Sequence, residues 1–367
     1  MTVGGCGADD GGASDASGRL FSPTARHALQ VGLDERVPAE GTLGNILAAR
    51  LTDDGKHLVV LDFVDPYIKV FDGEGHFERA FMREGGGPGE ARRPTAMGVA
   101  GDSAVLVWDG TRRLSVLGLD GRLRYEVPYP GFPVLAAVAG CAGEWVVYGP
   151  RFEPNSAQAH WLHRLRVAPD GSVSVQDALR DSLAAPTVPH GVAYGLIARG
   201  DSVYLWHTLG ARKLLAAWRC GDADARVLYR ESADAAPAGP MRRVEGGLKM
   251  EIGPGSRARG GMAAVGDGVV VGEIVHGEDG ETTELTLISR GGMRRSVRVP
   301  GSYVIRDARD GSGVLMSASE PVPRVFLVSG RELLALFPPA EREMTAVRPI
   351  PSRAARPTRA GPRGRRG

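Results

Sequence analysis

Residues 62–99 read DFVDPYIKVFDGEGHFERAFMREGGGPGEARRPTAMGV, and this stretch decides the fold. Its first half holds two short apolar runs, YIKVF and FERAF, separated by a turn that opens with Asp-Gly. Asp-Gly between two such runs is a strong signal of a tight β-hairpin. The second half is rich in glycine and charge, which suits either a phosphate-binding loop or a joint between two units of a repeat. The rest of the chain has to decide between these two interpretations.

The hairpin pattern recurs along the chain. Six short strands rich in valine and leucine open with or beside glycine, and these are GKHLVVLD (55–62), GDSAVLVWD (101–109), AGEWVVYG (142–149), GDSVYLWH (200–207), GDGVVVGE (266–273) and GSGVLMSA (311–318). Glycines 55, 101, 143, 200, 266 and 311 are 46, 42, 57, 66 and 45 residues apart. About 45 residues is the length of four short strands with their turns. No unit has the sustained apolar period of a helix, so the sequence predicts an all-β fold, a six-bladed β-propeller of four-stranded antiparallel blades.

The stretch at 62–99 resembles the bacterial six-bladed β-propeller family, which is similar to NHL repeats. The shared pattern is D-x-x-x-x-x-I-x-V-F-D-x-x-G, then a glycine-rich link, then a proline that opens the next blade. The resemblance is close over 43–127 and stays in register to about 337. Met82 and Arg83 stand where Gly-Arg is usual, and Ala91 replaces an aromatic residue. The resemblance implies the fold and little about chemistry, because propellers host unrelated functions.

The segment GGGPGE (85–90) is predicted to join two blades rather than to bind phosphate. It lacks the GK[ST] of a P-loop, and no helix or βαβ unit follows it. It lies between the last strand of one unit and Pro94, which opens the next. Glycines at such a crossover permit positive φ and close approach of the backbone.

A candidate binding surface follows from the topology of a four-stranded blade. The blade-to-blade crossovers and the loops between second and third strands share one face of the ring, which we call the crossover face. Candidate ligand-binding residues predicted there are Asp62, Arg83, Glu84, Asp109, Arg113, Arg151, His207 and Arg212. Long stretches at 150–160 and 231–260 add loop length, which marks either a binding face or tolerated surface variation. An arginine-rich rim suits carboxylates or phosphorylated groups.

An alternative function is a metal-dependent lyase or hydrolase working in the central channel. Eight histidines are present, but His160 and His163 are an odd interval apart and would face opposite sides of a strand. Lactonase-type propellers, which share the blade number, use asparagine ligands, and this chain has two asparagines. Asp62 and Asp109 either pair near the channel or cap their own strand ends. No catalytic residue, metal site or cofactor is predicted, and a non-catalytic binding scaffold is favoured.

The charge distribution argues against a nucleic-acid groove. Residues 348–367 hold seven of the 45 basic residues and no acid, so the remainder carries 38 basic against 43 acidic residues. A mildly acidic body with a basic tail lacks the basic patch of a nucleic-acid-binding domain. The predicted partner is a protein, peptide or glycan, the chain is predicted to be a monomer, and the Arg/Pro-rich tail at 346–367 is predicted to be disordered.

The N-terminal residues resemble a bacterial lipobox. Val3-Gly4-Gly5 precedes Cys6, the candidate lipidation site, and a Gly/Ala/Asp/Ser stretch suited to a tether follows. Five residues cannot hold a signal peptide, so either a longer leader precedes them or the match is chance. The first case predicts a lipid-anchored protein of the bacterial envelope, with the membrane reached only through that anchor, and the second a cytoplasmic protein. The predicted division is 1–20 tether, 21–345 propeller and 346–367 tail, with the ring closed by a strand near 24–32 or by RELLALF (331–337).

Overall fold

The computed structural model of this chain describes residues 20–22, 25, 27–32, 37–110, 113–129, 134–139, 144–152, 158–168, 172–177, 185–186, 193–199, 201–209, 212–219, 222, 226–232, 241–244, 247–250, 257–289, 291–309 and 313–338. Within these residues, six four-stranded antiparallel sheets stand in a ring. The predicted six-bladed β-propeller is therefore confirmed.

The first described strand, β1, spans Gln30–Val31, and a 3-10 turn at Ala39–Gly41 follows it. Three complete blades come next, each with its strands paired in chain order. Blade A contains β2 (Ile46–Leu51), β3 (His57–Asp62), β4 (Ile68–Asp72) and β5 (Phe77–Phe81). Blade B contains β6 (Pro94–Ala100), β7 (Ala104–Asp109), β8 (Arg113–Gly118) and β9 (Leu123–Pro128). Blade C contains β10 (Ala136–Ala139), β11 (Trp145–Phe152), β12 (Gln158–Val167) and β13 (Val173–Asp177), with the short β14 (Ala185–Pro186) also paired to β12.

The second half of the chain supplies the other three blades. Blade D contains β15 (Ala193–Arg199), β16 (Ser202–Leu209), β17 (Arg212–Arg219) and β18 (Arg226–Ser232). A separate hairpin, β19 (Met241–Val244) with β20 (Gly247–Met250), lies inside the long stretch at 231–260. Blade E contains β21 (Arg257–Val265), β22 (Gly268–Gly277), β23 (Gly280–Ser289) and β24 (Arg294–Pro300). Blade F contains β25 (Tyr303–Arg309), β26 (Gly313–Ala318) and β27 (Arg324–Val328), and β1 is its fourth strand.

The N-terminal segment closes the ring. Gln30 and Val31 of β1 pair antiparallel with Phe326 and Val325 of β27, so the start of the described chain completes the blade formed at its end. Of the two segments that the sequence offered for closure, 24–32 supplies the strand. The other forms a helix, α1 (Gly330–Ala335), because the Ser329 hydroxyl and the Glu332 carboxylate cap its first turn reciprocally.

The core lies between blades. Each sheet packs on both faces, so its middle strands are continuous apolar runs rather than alternating ones; every residue of β7, for example, is buried. Residues of adjacent blades share one cluster, as Val59 and Leu61 of blade A do with Met97 and Val107 of blade B. The first strands of the blades contact one another in order around the axis, from β2 through β6, β10, β15, β21 and β25 back to β2. These six inner strands surround the central channel.

Four of the inner strands carry a β-bulge. The pairing register shifts at Leu47 in β2, at Thr95 in β6, at Gly260–Gly261 in β21 and at Arg306 in β25. A bulge bends its strand and increases the local twist. In these four blades the bulge bends the inner strand near the axis.

Met82 adopts a left-handed backbone conformation, at the position where the sequence pattern that this stretch resembles usually has glycine. Its φ is +63°, and it is the one non-glycine residue with positive φ among the residues described. The side chain is nonetheless buried, in the cluster between blades A and B. At this position, burial of the apolar Met82 side chain therefore offsets the conformational cost of a positive φ.

Met82→Gly is expected to be more stable than Met82→Ala by about 1 kcal/mol, the reverse of the usual order. Both variants lose the same packing, but only alanine keeps the strain of a positive φ. Urea denaturation of the two proteins measures the difference. Met97, buried in β6, provides the control, because there Met97→Gly should be the less stable variant. The explanation fails if alanine is the better residue at both positions.

Candidate functional site

The crossover face carries the loop at 63–67 in blade A, the A-to-B crossover at 82–93 and the loop at 319–323 in blade F. It also carries the F-to-A crossover, which leads from β1 to β2. Six of the eight candidate residues lie at strand ends on this face, and Arg83 and Glu84 lie in the A-to-B crossover. The topology therefore places all eight on one side of the ring, spread over blades A to D.

Asp62 is fully buried and holds the F-to-A crossover. Its carboxylate accepts backbone N–H bonds from Gly44 and Asn45, each at 2.7 Å, and from Val64 at 3.2 Å. The Lys69 ammonium, also fully buried, lies 3.2 Å from the same carboxylate. Burial lowers the pKa of Lys69, and the charge of Asp62 opposes that shift. Asp62 thus hydrogen-bonds both the F-to-A crossover and the loop at 63–67, and it pairs with the buried Lys69 ammonium.

Asp109 occupies the equivalent strand end in blade B and holds the A-to-B crossover. Its carboxylate accepts the backbone N–H of Arg92 at 2.9 Å and a bond from the Arg113 guanidinium at 3.4 Å. Arg113 also donates to the carbonyl oxygens of Gly86, Gly87 and Glu90 at 3.2, 3.4 and 2.8 Å. Both side chains therefore fix the backbone of the glycine-rich segment.

The glycine-rich segment is a crossover, as predicted, because it connects β5 to β6. The Glu90 carboxylate folds back to accept the backbone N–H of Gly87 at 2.7 Å. A Cβ at position 85 would lie 2.0 Å from Glu90 Oε2. The absence of side chains leaves the space that this internal hydrogen bonding needs. The carbonyl oxygens of Gly86 and Gly87 accept hydrogen bonds from Arg113, a side chain of the protein itself.

Arg83 and Glu84 lie at the surface of the crossover. The Arg83 guanidinium is 3.5 Å from the carboxylates of both Glu40 and Asp65, and the backbone N–H of Glu84 donates to Asp65 at 2.8 Å. Burial raises the pKa of the nearby Tyr67 phenol, and Glu84, Asp65 and Asp109 raise it further. In this part of the face the Arg83 guanidinium lies beside carboxylates of the protein itself.

The other candidates lie in blades C and D or outside the residues that the structure describes. Arg151 is exposed near the end of β11, opposite His160 of β12 in the register. His207 lies in β16 opposite Leu214, and Arg212 opens β17; their side chains are outside the described part. Cys6, residues 1–19 of the tether predicted at 1–20, and the tail at 346–367 also lie outside it.

Exposed apolar side chains are the feature of this face that sequence reasoning missed. The exposed large apolar residues among those described are Phe63, Val64, Val322 and Met293. The first three lie in strand 2-to-3 loops on the crossover face, and Met293 lies in the β23–β24 turn on the opposite face. The available signal was that Phe63 and Val64 follow a complete strand, where a turn would ordinarily be polar.

The inner strands offer few groups for channel chemistry. As the structure describes them, the six strands contain six arginines, one acid (Asp307), no histidine and no cysteine. Asp307 accepts the backbone N–H of Leu51 at 3.1 Å, and Arg306 donates to the carbonyl oxygens of Ile46 and Leu47 at 2.6 and 2.7 Å. These side chains join blade F to blade A.

One group of His, Asp and Glu side chains in the described residues has metal-compatible spacing. Asp72, Glu74 and His76 place their ligand atoms within 4.8 Å of one another. They belong to the hairpin turn between β4 and β5, on the opposite face, where Asp72 accepts the backbone N–H groups of Glu74 and His76. Hydrogen bonding within the turn accounts for the arrangement.

Comparison with known proteins shows the fold alone. No protein-family model matches this chain, and no curated relative matches its sequence. A member of the DUF4221 family from Bacteroides vulgatus is similar in structure, with a TM-score of 0.54 and 12% identity, over 82% of this chain and 95% of that one. A protein from Bacteroides fragilis that is named as exported has a TM-score of 0.53 and 10% identity, over 79% of this chain and 83% of that one. Among the described residues, no helix is long and apolar enough to cross a membrane. The chain therefore shares its fold with these bacterial proteins, and identities this low show the fold alone and no activity.

Proposed function

We propose that this protein is a non-catalytic binding scaffold whose crossover face receives a protein or peptide. The placement of exposed apolar side chains carries the proposal. Phe63, Val64 and Val322 are exposed in the loops of two neighbouring blades on one face of the ring, and exposed apolar patches on a domain mark interaction sites. Apolar contact favours a polypeptide partner over a glycan.

In this proposal three of the predicted polar residues have a supporting role. Asp62, Asp109 and Arg113 hydrogen-bond the backbones of the loops that form the face. Binding residues on loops work best when a rigid scaffold fixes those loops. In this function they position the surface, and the exposed residues contact the partner.

The channel enzyme has weaker support. A metal site of the propeller type requires several His, Asp or Asn side chains directed at the axis. The inner strands supply a single carboxylate, and it is bonded to the neighbouring strand. No observation on the described residues favours catalysis over binding.

An envelope location forms part of the proposal. Val3-Gly4-Gly5-Cys6 matches a lipobox, and a structurally similar protein carries the name of an exported protein. A lipid at Cys6 would be seen as added mass on the N-terminal peptide of protein extracted from membranes. If Cys6 carried an unmodified thiol in every molecule, this part of the proposal would be contradicted.

Site-specific photo-crosslinking in the native cell tests the binding function. A benzoyl-phenylalanine at position 63 is expected to give a discrete crosslinked protein, whereas one at position 293, on the opposite face, is not. The captured partner is identified by mass spectrometry, and the partner protein is then purified without the crosslink. Its affinity for the full chain should then fall in Phe63→Ser and stay unchanged in Met293→Ser. Equal crosslinking from both positions, or none from either, would count against the proposal.

A further inference from the structure

Two neighbouring loops carry the exposed apolar residues of the crossover face. Phe63 and Val64 follow β3 in blade A, and Val322 lies between β26 and β27 in blade F. Blades A and F are neighbours, since β2 contacts β25 and since both blades contribute to one apolar cluster. The two loops border one surface, the closure patch, which consists of Phe63, Val64, Val322, Glu40, Asp65, Arg83, Glu84 and Glu320.

A buried cation supports each of these loops. Lys69 donates to the carbonyl oxygens of Val64 and Pro66 at 2.8 and 3.0 Å, and Arg324 donates to that of Glu320 at 3.0 Å. Lys69 is 0% and Arg324 is 2% exposed. Burying a cation is costly unless its hydrogen bonds are made, so each cation holds its loop in one arrangement. A surface that is ordered before binding loses less entropy when the partner arrives.

Val64 is further held against the F-to-A crossover. A Cβ on Gly44 would lie 2.2 Å from Val64 Cγ2, so the valine packs directly over this glycine. The backbone N–H of Phe63 donates to the carbonyl of Asn45 at 3.0 Å. Even so, Phe63 and Val64 remain 47% and 44% exposed. The loop is thus rigid at its base and apolar at its outer surface.

The charges of the closure patch are mainly negative. The patch as defined holds four carboxylates, those of Glu40, Asp65, Glu84 and Glu320, and one guanidinium, that of Arg83, a formal charge of −3; the exposed Arg92 and Arg93 follow later in the A-to-B crossover, outside the patch. Arg83 already lies 3.5 Å from Glu40 and from Asp65. Because the partner's charge must complement this potential, a cationic partner is attracted and an acidic peptide or anionic lipid surface is repelled.

We propose that the closure patch binds a segment of a partner protein that is both aliphatic and cationic. The partner's aliphatic side chains lie on Phe63, Val64 and Val322, and its arginines or lysines lie beside Glu84 and Glu320. Burial of the apolar side chains of the patch supplies affinity, and the surrounding carboxylates select the partner by charge. This inference rests on the binding function proposed above and adds the chemistry of the partner.

Three labelled octapeptides test the chemistry on the full chain: four repeats of Arg-Leu, of Glu-Leu and of Arg-Ser. Fluorescence anisotropy at 50 mM NaCl should show Arg-Leu binding at least about tenfold more tightly than either of the others. The Arg-Leu affinity should fall at 300 mM NaCl, because salt screens exposed charges. Equal affinities for the three peptides, a preference for Glu-Leu, or no binding of any of them would overturn the proposal.

Paired variants locate the binding. Phe63→Ser with Val322→Ser, and separately Glu84→Gln with Glu320→Gln, should each weaken Arg-Leu binding by about tenfold. Matched controls on the opposite face are Met293→Ser for the apolar pair and Asp53→Asn with Asp267→Asn for the acidic pair; both should bind as wild type. An unchanged affinity in both patch variants would overturn the assignment.

The crosslinking experiment distinguishes a failure of the proposed partner chemistry from a failure of the binding function itself. Should the peptides fail while position 63 still captures a partner that Phe63→Ser releases, the face binds and the proposed chemistry is wrong. Should position 63 capture nothing, the binding function itself fails.

Discussion

Asp62→Ala is expected to lower the free energy of unfolding by about 3–5 kcal/mol. The substitution leaves the Lys69 ammonium without its carboxylate in a site where neither side chain is exposed. It also removes the acceptor of the Gly44 and Asn45 backbone N–H groups. An uncompensated buried charge and two unsatisfied donors are each destabilising, and here they occur together.

Removing both charges should restore part of this loss. In Asp62→Ala with Lys69→Met, no charge remains buried, so the double variant is expected to be more stable than Asp62→Ala alone. Urea denaturation of the wild type, both single variants and the double variant completes the cycle. Strict additivity of the two single losses would show that the pair does not interact.

The pH dependence of Asp62→Ala provides an independent check. Burial already lowers the pKa of Lys69 in the folded protein, and Asp62 acts against that shift. Without Asp62 the folded pKa falls further below the unfolded value of about 10.4. Between the two values the unfolded chain binds more protons than the folded one, so stability should rise with pH in that window. A variant whose stability is flat from pH 7 to 10 would contradict a lowered pKa of Lys69 in the folded protein.

The blade number and the crossover were predictable because they depend on local, periodic signals. Each unit carries its own turn glycine and apolar run, and the spacing of those units is a property of the sequence. GGGPGE was recognisable as a link from its place between two such runs. Closure by β1 was one of two options, and the Ser329–Glu332 capping box, which begins the helix at Gly330–Ala335, was the local signal that separated them.

The roles of individual charged residues were less predictable, because they depend on distant partners. Asp62 and Glu84 both look like exposed turn residues in sequence. Asp62 is buried since Gly44 and Asn45, 18 and 17 residues away, fold onto it, while Glu84 remains at the surface. Likewise Phe63 directly follows one apolar run and Phe71 ends another, yet the first is 47% and the second 1% exposed. Hydrophobicity alone cannot distinguish a loop residue available to a partner from one in the core.

Gly261→Ala is expected to be the most damaging substitution of a single methyl group, with a loss of about 4 kcal/mol or more. Gly261 forms the bulge of β21, has a φ of +76°, and a Cβ there would lie 1.9 Å from the carbonyl oxygen of Ile305 in β25. Two backbones meet at this point, so neither can yield by a side-chain rotation. Alanine would force the inner strands of blades E and F apart.

Gly101→Ala separates the clash from the strain of positive φ. Gly101 also has positive φ, at +56°, but a Cβ added there would meet no atom within 4 Å. Its alanine variant should therefore lose only about 1 kcal/mol, and the difference between the two variants measures the contact between β21 and β25. Thermal and urea denaturation of both proteins provide the comparison. Similar losses at the two sites would mean that the inner ring relaxes around an added methyl group, and that the blades are joined mainly by the apolar clusters between their middle strands.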